Sequence, residues 1–204
     1  CNSLLHGYYC DKNDELLYSN ISNFLVKFLQ EAWNFFYFCN LTRKVMMSLR
    51  YCRQASLVDQ EKLKGIRACV CGVGGIGSFL SLQLAALGIG ELILIDRDVV
   101  AISDLNRQVL YKESDIGKEK AKVAEKALRE FNSEIKVKGI ASSIEEQKSE
   151  ICQSSVVFDC LDNWESRFKL DELCHESKNA VLIHGAAAGF KGQVYVHIPG
   201  VNPC

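Results

Sequence analysis

The chain contains 204 residues, enough for one ordinary domain and an appendage, and 48% of them are apolar. Its 24 basic and 25 acidic residues leave a formal net charge of -1, so the composition gives no broad positive surface, and we expect no nucleic-acid partner. The ten cysteines follow no regular spacing and include no C-x-x-C pair, which favours a cytoplasmic protein with reduced thiols.

The first part of the chain holds its most apolar stretch, ISNFLVKFLQEAWNFFYFCNL at 21–41. Polar residues interrupt this stretch, so it lacks the run of about 18 apolar residues that a membrane-spanning helix needs. Its apolar positions recur at helical spacing, which indicates an amphipathic helix packed on a partner surface. We therefore expect no membrane anchor and interpret residues 1–45 as a helical or non-native extension, with Met46 or Met47 as the alternative natural start.

From about residue 66 onward, short apolar strands alternate with helices. This order predicts an α/β fold with a Rossmann-like, doubly wound, mostly parallel sheet, whose ligand lies at the carboxyl ends of the strands. The predicted strands span 66–71, 91–96, 134–140, 155–160, 180–185 and 192–198. The predicted helices span 76–87, 104–111, 118–132, 144–152 and 164–178.

A glycine-rich turn joins the first strand to the first helix in the segment CVCGVGGIGSFL at 69–80. Glycine permits a tight turn and lets backbone amides and a helix N-terminus approach a phosphate. Between a strand and a helix, this motif favours a bound nucleotide over a merely structural turn. The glycines of the motif are Gly72, Gly74, Gly75 and Gly77.

Charged residues beyond the glycine turn bear on which nucleotide is bound. Asp96 closes the next strand, where an acid commonly accepts hydrogen bonds from ribose hydroxyls, and this suits NAD and ATP equally. A dehydrogenase needs little further charge, but this sequence adds Arg107, Lys120 and Asp162. Basic side chains stabilise charge on a departing pyrophosphate, and an acid can hold Mg²⁺. Each residue alone also fits a surface charge or a helix N-cap, but together they favour adenylyl transfer.

Six motifs follow one another along the chain, namely RYCRQ at 50–54, GVGGIG at 72–77, LIDRDVV at 94–100, LNRQ at 105–108, GKEK at 117–120 and CLDN at 160–163. In this order they resemble the ubiquitin-activating enzyme superfamily, and in particular its ThiF, MoeB and HesA type adenylyltransferases. The resemblance implies an ATP-binding adenylation domain over residues 46–204. It also implies that MgATP is used to adenylate the C-terminal glycine carboxylate of a ubiquitin-like or sulfur-carrier protein ending in Gly-Gly, with release of pyrophosphate.

The resemblance further implies roles for individual residues. The glycines would line the nucleotide loop, Asp162 would position Mg²⁺ and Asn163 would lie beside it. Arg53 is expected to reach across a dimer interface toward the partner subunit's ATP, so the active enzyme would be a homodimer. The residues implied to contact the ribose and the phosphates are Asp96, Asp98, Asn106, Arg107 and Lys120.

Two features bear on how far the resemblance extends. Asp104 stands where related sequences often carry Asn, so we expect either weaker ATP binding or a side chain that turns away from the phosphates. Cys204, after Pro203, resembles the first ligand of a zinc site built from two C-x-x-C pairs. We therefore expect a C-terminally truncated chain, with Zn²⁺ bound only in the full-length protein.

Two other functions remain open at this point. One is an NAD-dependent oxidoreductase, and the other is a non-catalytic subunit that pairs with an active partner. The remaining notable residues are interpreted as structural, since Cys69 and Cys71 share one strand face, and Cys160 and His184 lie at strand ends. The motifs do not distinguish between carrier proteins or pathways.

Overall fold

The computed structural model describes residues 49–177, 180–198 and 201. The predicted N-terminal extension, residues 46–48 and Cys204 lie outside these ranges. The described residues from Arg50 onward belong to one compact unit. No helix in the described ranges is long and apolar enough to cross a membrane.

In the described ranges, six strands form one sheet in the order β3-β2-β1-β4-β5-β6. The first five strands run parallel to their neighbours, and β6 pairs with β5 in the antiparallel direction. This sheet confirms the predicted Rossmann-like α/β fold, because β1 lies at the point where the strand order reverses. The strands are β1 (Arg67–Cys71), β2 (Glu91–Ile95), β3 (Lys136–Ile140), β4 (Val156–Asp159), β5 (Val181–Ala188) and β6 (Lys191–His197).

Helices connect the parallel strands at or near the predicted positions. A short helix that the sequence did not predict precedes β1, where the Asp59 carboxylate accepts the amides of Glu61 and Lys62 and so caps it. The α-helices are α1 (Gln60–Lys64), α2 (Gly75–Leu87), α3 (Lys120–Phe131), α4 (Lys148–Cys152) and α5 (Trp164–Ser177). The 3₁₀ turns are Leu49–Tyr51, Ile102–Asp104, Glu113–Asp115 and Glu145–Gln147.

The predicted helix over 104–111 is wrong. The structure has a 3₁₀ turn at Ile102–Asp104, followed by further turns. The Asp104 side chain accepts a hydrogen bond from the Ala101 amide at 3.0 Å. This bond closes the turn, and beyond it the amides of Arg107 and Gln108 both bond the Asp104 carbonyl, at 3.1 and 3.0 Å, before the Tyr111 amide bonds the Gln108 carbonyl. The segment therefore forms successive turns and no helical ladder.

Alternate residues of β1 point to opposite faces of the sheet. Ala68 and Val70 lie in the core covered by α2 and α3, whereas Cys69 and Cys71 lie in the core covered by α4 and α5. Both cysteines are fully buried, and their sulfur atoms are 3.8 Å apart. The prediction that they pack in the core is therefore confirmed.

The segment before β1 is fixed to the C-terminal ends of α2 and α3. Tyr51 is buried, and its hydroxyl accepts a hydrogen bond from Asn132 Nδ2 at 2.7 Å. The side chains of Gln54 and Gln60 both donate to the carbonyl of Leu87, which satisfies a carbonyl at the helix end. These contacts hold the RYCRQ motif against the body of the domain.

A charge network at the N-terminal end of β1 gives a pH-dependent prediction. Glu150 bonds Arg67 and Lys138, with 2.6 Å between its Oε1 and the lysine nitrogen. The bond from Lys138, reinforced by Arg67 and opposed by burial, lowers the pKa of Glu150 from its ordinary 4.5. Its stabilising contribution is therefore complete above about pH 4.5 and is lost as the pH falls through the folded-state pKa.

We expect Glu150→Gln to lower the free energy of unfolding at pH 7 by about 1 kcal/mol, because Arg67 and Lys138 lose a charged acceptor in a partly exposed site. The difference from the wild type should shrink below pH 4.5, as measured by urea denaturation across pH. Glu130→Gln is the control, because Glu130 is exposed and lies 3.9 Å from Lys126, and it should change little. An equal effect of Glu150→Gln at pH 3 and pH 7 would contradict the prediction.

Candidate active site

The glycine turn between β1 and α2 has no room for side chains at two of its positions. A Cβ on Gly72, whose φ is +87°, would lie 2.8 Å from the carbonyl oxygen of Cys160. A Cβ on Gly77 would lie 1.9 Å from the carbonyl oxygen of Gly72. No side chain in the described ranges caps the start of α2 at Gly74. The first amides of this 13-residue helix are therefore available to an anion.

Two side chains, from Asp96 and Tyr111, form hydrogen bonds with the backbone of Val73 in the glycine turn. Asp96 Oδ2 accepts the Val73 amide at 2.7 Å, and its Oδ1 accepts the Asp98 amide at 2.8 Å. The Tyr111 hydroxyl donates to the Val73 carbonyl at 2.8 Å. The predicted ribose-binding residue is therefore in direct contact with the glycine turn. Each of its oxygens keeps a lone pair for a further donor.

A cluster of charges lies beside the turn. Lys120 Nζ is 3.3 Å from Asp104 Oδ2 and 3.5 Å from Asp98 Oδ2, and the lysine side chain is only 8% exposed. Arg107 Nη2 lies 3.5 Å from Asp104 Oδ1. The stem of Arg107 passes the turn, with its Cδ 3.5 Å from where a Cβ on Gly75 would be. The structure thus brings both predicted phosphate-binding cations together.

The carboxylates of this cluster differ in protonation behaviour. Burial opposes ionisation of Asp104, but the Ala101 amide and the Lys120 ammonium outweigh it, so the pKa of Asp104 lies below its ordinary value. Burial raises the pKa of Asp96, despite two backbone amides that donate to it. Asp104 is therefore held as an anion next to the cations.

The CLDN segment reaches the site from the end of β4. Its first residue, Cys160, presents its carbonyl to Gly72, which places the segment against the glycine turn. Asn163 Oδ1 accepts the Ser166 amide at 2.9 Å and caps α5, and Asn163 Nδ2 donates to Asp162 Oδ1 at 3.2 Å. The helix-capping role considered for Asp162 thus belongs to Asn163, and Asp162 is exposed at the end of the strand.

A buried network that the sequence did not predict supports the CLDN segment. Asp159 is fully buried; its Oδ1 accepts the Leu161 amide at 3.0 Å, and its Oδ2 bonds Arg167 Nη1 at 2.9 Å and His184 Nδ1 at 2.7 Å. Arg167 also donates to the carbonyls of Leu161 and Gly185. Arg167 therefore ties the segment to β5. The interpretation of His184 as a structural histidine is supported by this bond.

Two predicted site residues, Arg53 and Asn106, are not part of the charge cluster around Lys120. Arg53 lies apart from it, and Asn106 lies on its surface. Arg53 is exposed in the turns that follow Leu49–Tyr51, and it forms no hydrogen bond or ion pair with another described residue. Asn106 is exposed, and its Oδ1 accepts a hydrogen bond from Arg107 Nη1 at 3.1 Å. Their proposed contacts with ATP remain predictions.

Comparison with known proteins gives the family. The sequence model of the ThiF family matches residues 46–204. The chain belongs to the ThiF family. It is 42% identical over 155 residues to the molybdopterin-synthase adenylyltransferase of Haemophilus influenzae, covering 72% of this chain and 63% of that protein. It is 35% identical over 158 residues to the sulfur carrier protein ThiS adenylyltransferase of Escherichia coli, covering 74% of this chain and 62% of that protein.

Solved structures agree with this family. The structure of E. coli MccB with ATP matches with a TM-score of 0.63 and 31% identity, over 70% of this chain and 44% of that one. The ThiF-family chain therefore spans less than two thirds of the length of each of these three proteins. Both sequence relatives are adenylyltransferases by name, and the MccB structure is a complex with ATP.

The Gly77 position gives a steric prediction for this ThiF-family turn. We expect Gly77→Ala to lower the free energy of unfolding by about 2 kcal/mol, because its Cβ would overlap the Gly72 carbonyl oxygen and the backbone must move. Gly75→Ala is the matched control, since its nearest contact is Arg107 Cδ at 3.5 Å. Urea denaturation of both variants tests this, and equal stabilities would show that the turn tolerates a side chain at position 77.

Proposed function

We propose that this chain carries the ATP-binding part of an enzyme that adenylates the C-terminal glycine carboxylate of a ubiquitin-like or sulfur-carrier protein. The observation that carries the proposal is the convergence of Lys120 and Arg107 beside a glycine turn and the start of α2. The names of the related adenylyltransferases, one acting on molybdopterin synthase and one on a sulfur carrier, support it.

The reaction needs alignment and charge neutralisation more than acid–base chemistry. A glycine carboxylate oxygen attacks the α-phosphorus of ATP, and the bond from that phosphorus to the bridging oxygen of the β-phosphate breaks. Pyrophosphate leaves with the bonding electron pair, and the products are a mixed acyl-phosphate anhydride and pyrophosphate. Because the carboxylate is already ionised at neutral pH, no general base is required.

The residues of the site divide this work between them. The amides at the start of α2 and the open glycine turn bind phosphate oxygens, and Asp96 accepts from the ribose hydroxyls. Lys120 and Arg107 balance the negative charge that collects on the leaving pyrophosphate, in a site where Lys120 is largely shielded from water. Asn106 contacts Arg107, and Asp98 contacts Lys120.

Divalent metal fits the site as part of the ATP complex. Mg²⁺ commonly takes one or two protein carboxylates together with substrate phosphates and water. Asp162, exposed at the end of β4 next to the glycine turn, would supply such an oxygen. No group of three or more His, Cys, Asp or Glu side chains in the described part of the chain is arranged to hold a metal alone. Bound Mg²⁺ would screen the phosphate charge and orient the triphosphate.

Three further properties complete the proposal. The active enzyme is a homodimer in which Arg53 reaches the partner's ATP, and the exposure of Arg53 without a described partner supports this. Zn²⁺ binds in the full-length protein, with Cys204 as one ligand. The protein is cytoplasmic, in keeping with the six cysteines that are free within the described ranges.

The test is pyrophosphate exchange by the full-length protein. Labelled pyrophosphate should enter ATP only when Mg²⁺ and a carrier protein ending in Gly-Gly are both present. A carrier with its last glycine removed is the matched control and should give no exchange. Absence of exchange with every Gly-Gly carrier offered would contradict the proposal.

The two alternatives have their own outcomes. An NAD-dependent oxidoreductase would be stabilised more by NADH than by ATP in a thermal-shift titration, whereas we expect the reverse. A non-catalytic subunit would show no exchange when purified alone and would gain it only with a second, different chain. Exchange by the purified protein without such a chain excludes that alternative.

A further inference from the structure

The position of Asp104 distinguishes between the two expectations from sequence, and it favours weaker ATP binding over a side chain that turns away. Its carboxylate does not turn away, because it contacts both cations that are proposed to bind the phosphates. Oδ2 accepts the Ala101 amide at 3.0 Å and lies 3.3 Å from Lys120 Nζ. Oδ1 accepts Gln108 Nε2 at 2.9 Å and lies 3.5 Å from Arg107 Nη2. Only 6% of the residue is exposed.

We propose that Asp104 is a resident counter-ion that competes with the β- and γ-phosphates for Lys120 and Arg107. It is a positioning residue, which holds both cations beside the glycine turn before the nucleotide binds. It also lowers the affinity for ligands that carry a pyrophosphate group, and so favours release of pyrophosphate after adenylation. This inference rests on the proposed function, since it assumes that the two cations bind the phosphates of ATP.

The charge balance of the cluster supports the competition. Lys120 and Arg107 carry two positive charges, and Asp98 and Asp104 carry two negative charges. The negative charges are not equivalent, because the Asp98 side chain is 61% exposed and is screened by water, whereas that of Asp104 is 8% exposed. Asp104 is therefore the anion whose removal would most increase the attraction for a triphosphate.

The local structure can accept an amide in place of this carboxylate. In Asp104→Asn, the new carbonyl oxygen can still accept the Ala101 amide. The new amide group faces Gln108, whose buried Oε1 has no hydrogen-bond partner in the described structure. Rotation of the Gln108 amide would let that oxygen accept the new donor. Lys120 retains Asp98 as a partner, so we expect the variant to fold.

The test compares ATP with AMP, since AMP lacks the two phosphates for which Asp104 competes. Calorimetric titration of the full-length wild type and Asp104→Asn, with Mg²⁺ and no carrier, measures both affinities. We expect the variant to bind ATP about tenfold more tightly, which is the order of effect that one unit charge has in a partly shielded site. AMP affinity should change less than twofold. If Asp104 only stabilised the fold, both affinities would fall together.

Asp115→Asn is a matched control. Asp115 is the last residue of the 3₁₀ turn Glu113–Asp115, as Asp104 is of Ile102–Asp104. Like Asp104, it accepts the backbone amide three residues earlier and contacts a lysine. Its Oδ2 accepts the Lys112 amide at 3.2 Å, and its Oδ1 lies 3.0 Å from Lys118 Nζ. Because Asp115 contacts neither Lys120 nor Arg107, its replacement should leave the ratio of ATP to AMP affinity unchanged.

A second comparison tests the coupling directly. If Asp104 acts by competing for Lys120, the increase in ATP affinity caused by Asp104→Asn should be markedly smaller in a Lys120→Met background. Asp104→Ser, whose hydroxyl can accept the Ala101 amide, gives the same ATP and AMP comparison should the asparagine variant fold poorly.

Unchanged or weaker ATP binding by a folded Asp104 variant overturns the inference, as does an equal gain for AMP. Failure of the proposed function would look different. A protein that shows the predicted change in ATP affinity but no carrier-dependent exchange would contradict adenylation alone. A protein that exchanges pyrophosphate but ignores the Asp104 substitution would contradict the counter-ion alone.

Discussion

Replacing Lys120 with methionine is expected to lower carrier-dependent pyrophosphate exchange about a thousandfold, equivalent to about 4 kcal/mol of transition-state stabilisation. Its ammonium group is largely shielded from water by the neighbouring carboxylates and by α3, where the residue is the first of the helix. In such an environment a fixed positive charge stabilises developing negative charge more strongly than it would in water. Methionine keeps the length and the apolar stem but removes the charge.

Lys118→Met is the matched control for that prediction. Lys118 lies two positions earlier, is 59% exposed and pairs with Asp115, so we expect its loss to change exchange less than twofold. Lys120→Met also leaves buried Asp104 with one cation fewer, which could lower activity by destabilising the fold. The double variant with Asp104→Asn restores the charge balance and should regain stability without regaining exchange. Exchange by Lys120→Met above a tenth of the wild-type rate would contradict the assigned role.

Much of the fold follows from local sequence. The ACVC and LILI runs are buried on both faces, and such continuous apolar runs are typical of strands inside a parallel sheet. The end of α2 was predicted from Gly88, which adopts a φ of +81° there. The prediction fails at 104–111, where the amides of Arg107 and Gln108 both bond the Asp104 carbonyl and the Tyr111 amide bonds the Gln108 carbonyl, so the segment forms successive turns.

The site was less completely predictable than the fold. Motif order identified Lys120 and Arg107, but their common partner Asp104 is 16 residues from one and three from the other. Such a contact depends on how the segment after β2 folds back on α3. The spacing of apolar and polar residues in the sequence does not predict it. Asp159 was missed for the same reason, since it lies inside the apolar strand predicted over 155–160. Its partners come from α5 and β5.

The Asp159 network gives the largest expected effect on stability. We expect Asp159→Ala to lower the free energy of unfolding by about 3–5 kcal/mol, the range for removing one partner of a buried ion pair. Arg167, whose side chain is 13% exposed, would lose its carboxylate and remain as an unpaired charge. His184 and the Leu161 amide would also lose their acceptor. Urea denaturation near neutral pH measures the change.

Asp171→Ala is the control, because Asp171 approaches the same histidine from the other side but lies 3.8 Å from Nε2 and is partly exposed. Its loss should cost less than about 1 kcal/mol. A further double variant, Asp159→Asn with Arg167→Gln, removes both charges together and should be more stable than Asp159→Ala. If Asp159→Ala costs no more than the Asp171 control, the buried pair does not stabilise the domain.

Asp159→Ala should also weaken Mg²⁺ binding in the fraction of the protein that remains folded. Arg167 fixes the Leu161 carbonyl and the Gly185 carbonyl, and Asp162 follows directly after Leu161. Without Asp159 to orient Arg167, the carboxylate proposed to hold Mg²⁺ loses its support. We therefore expect the Mg²⁺ concentration needed for half-maximal exchange to rise in Asp159→Ala but not in Asp171→Ala. Equal Mg²⁺ requirements in the two variants would mean that Asp162 is positioned without the buried network.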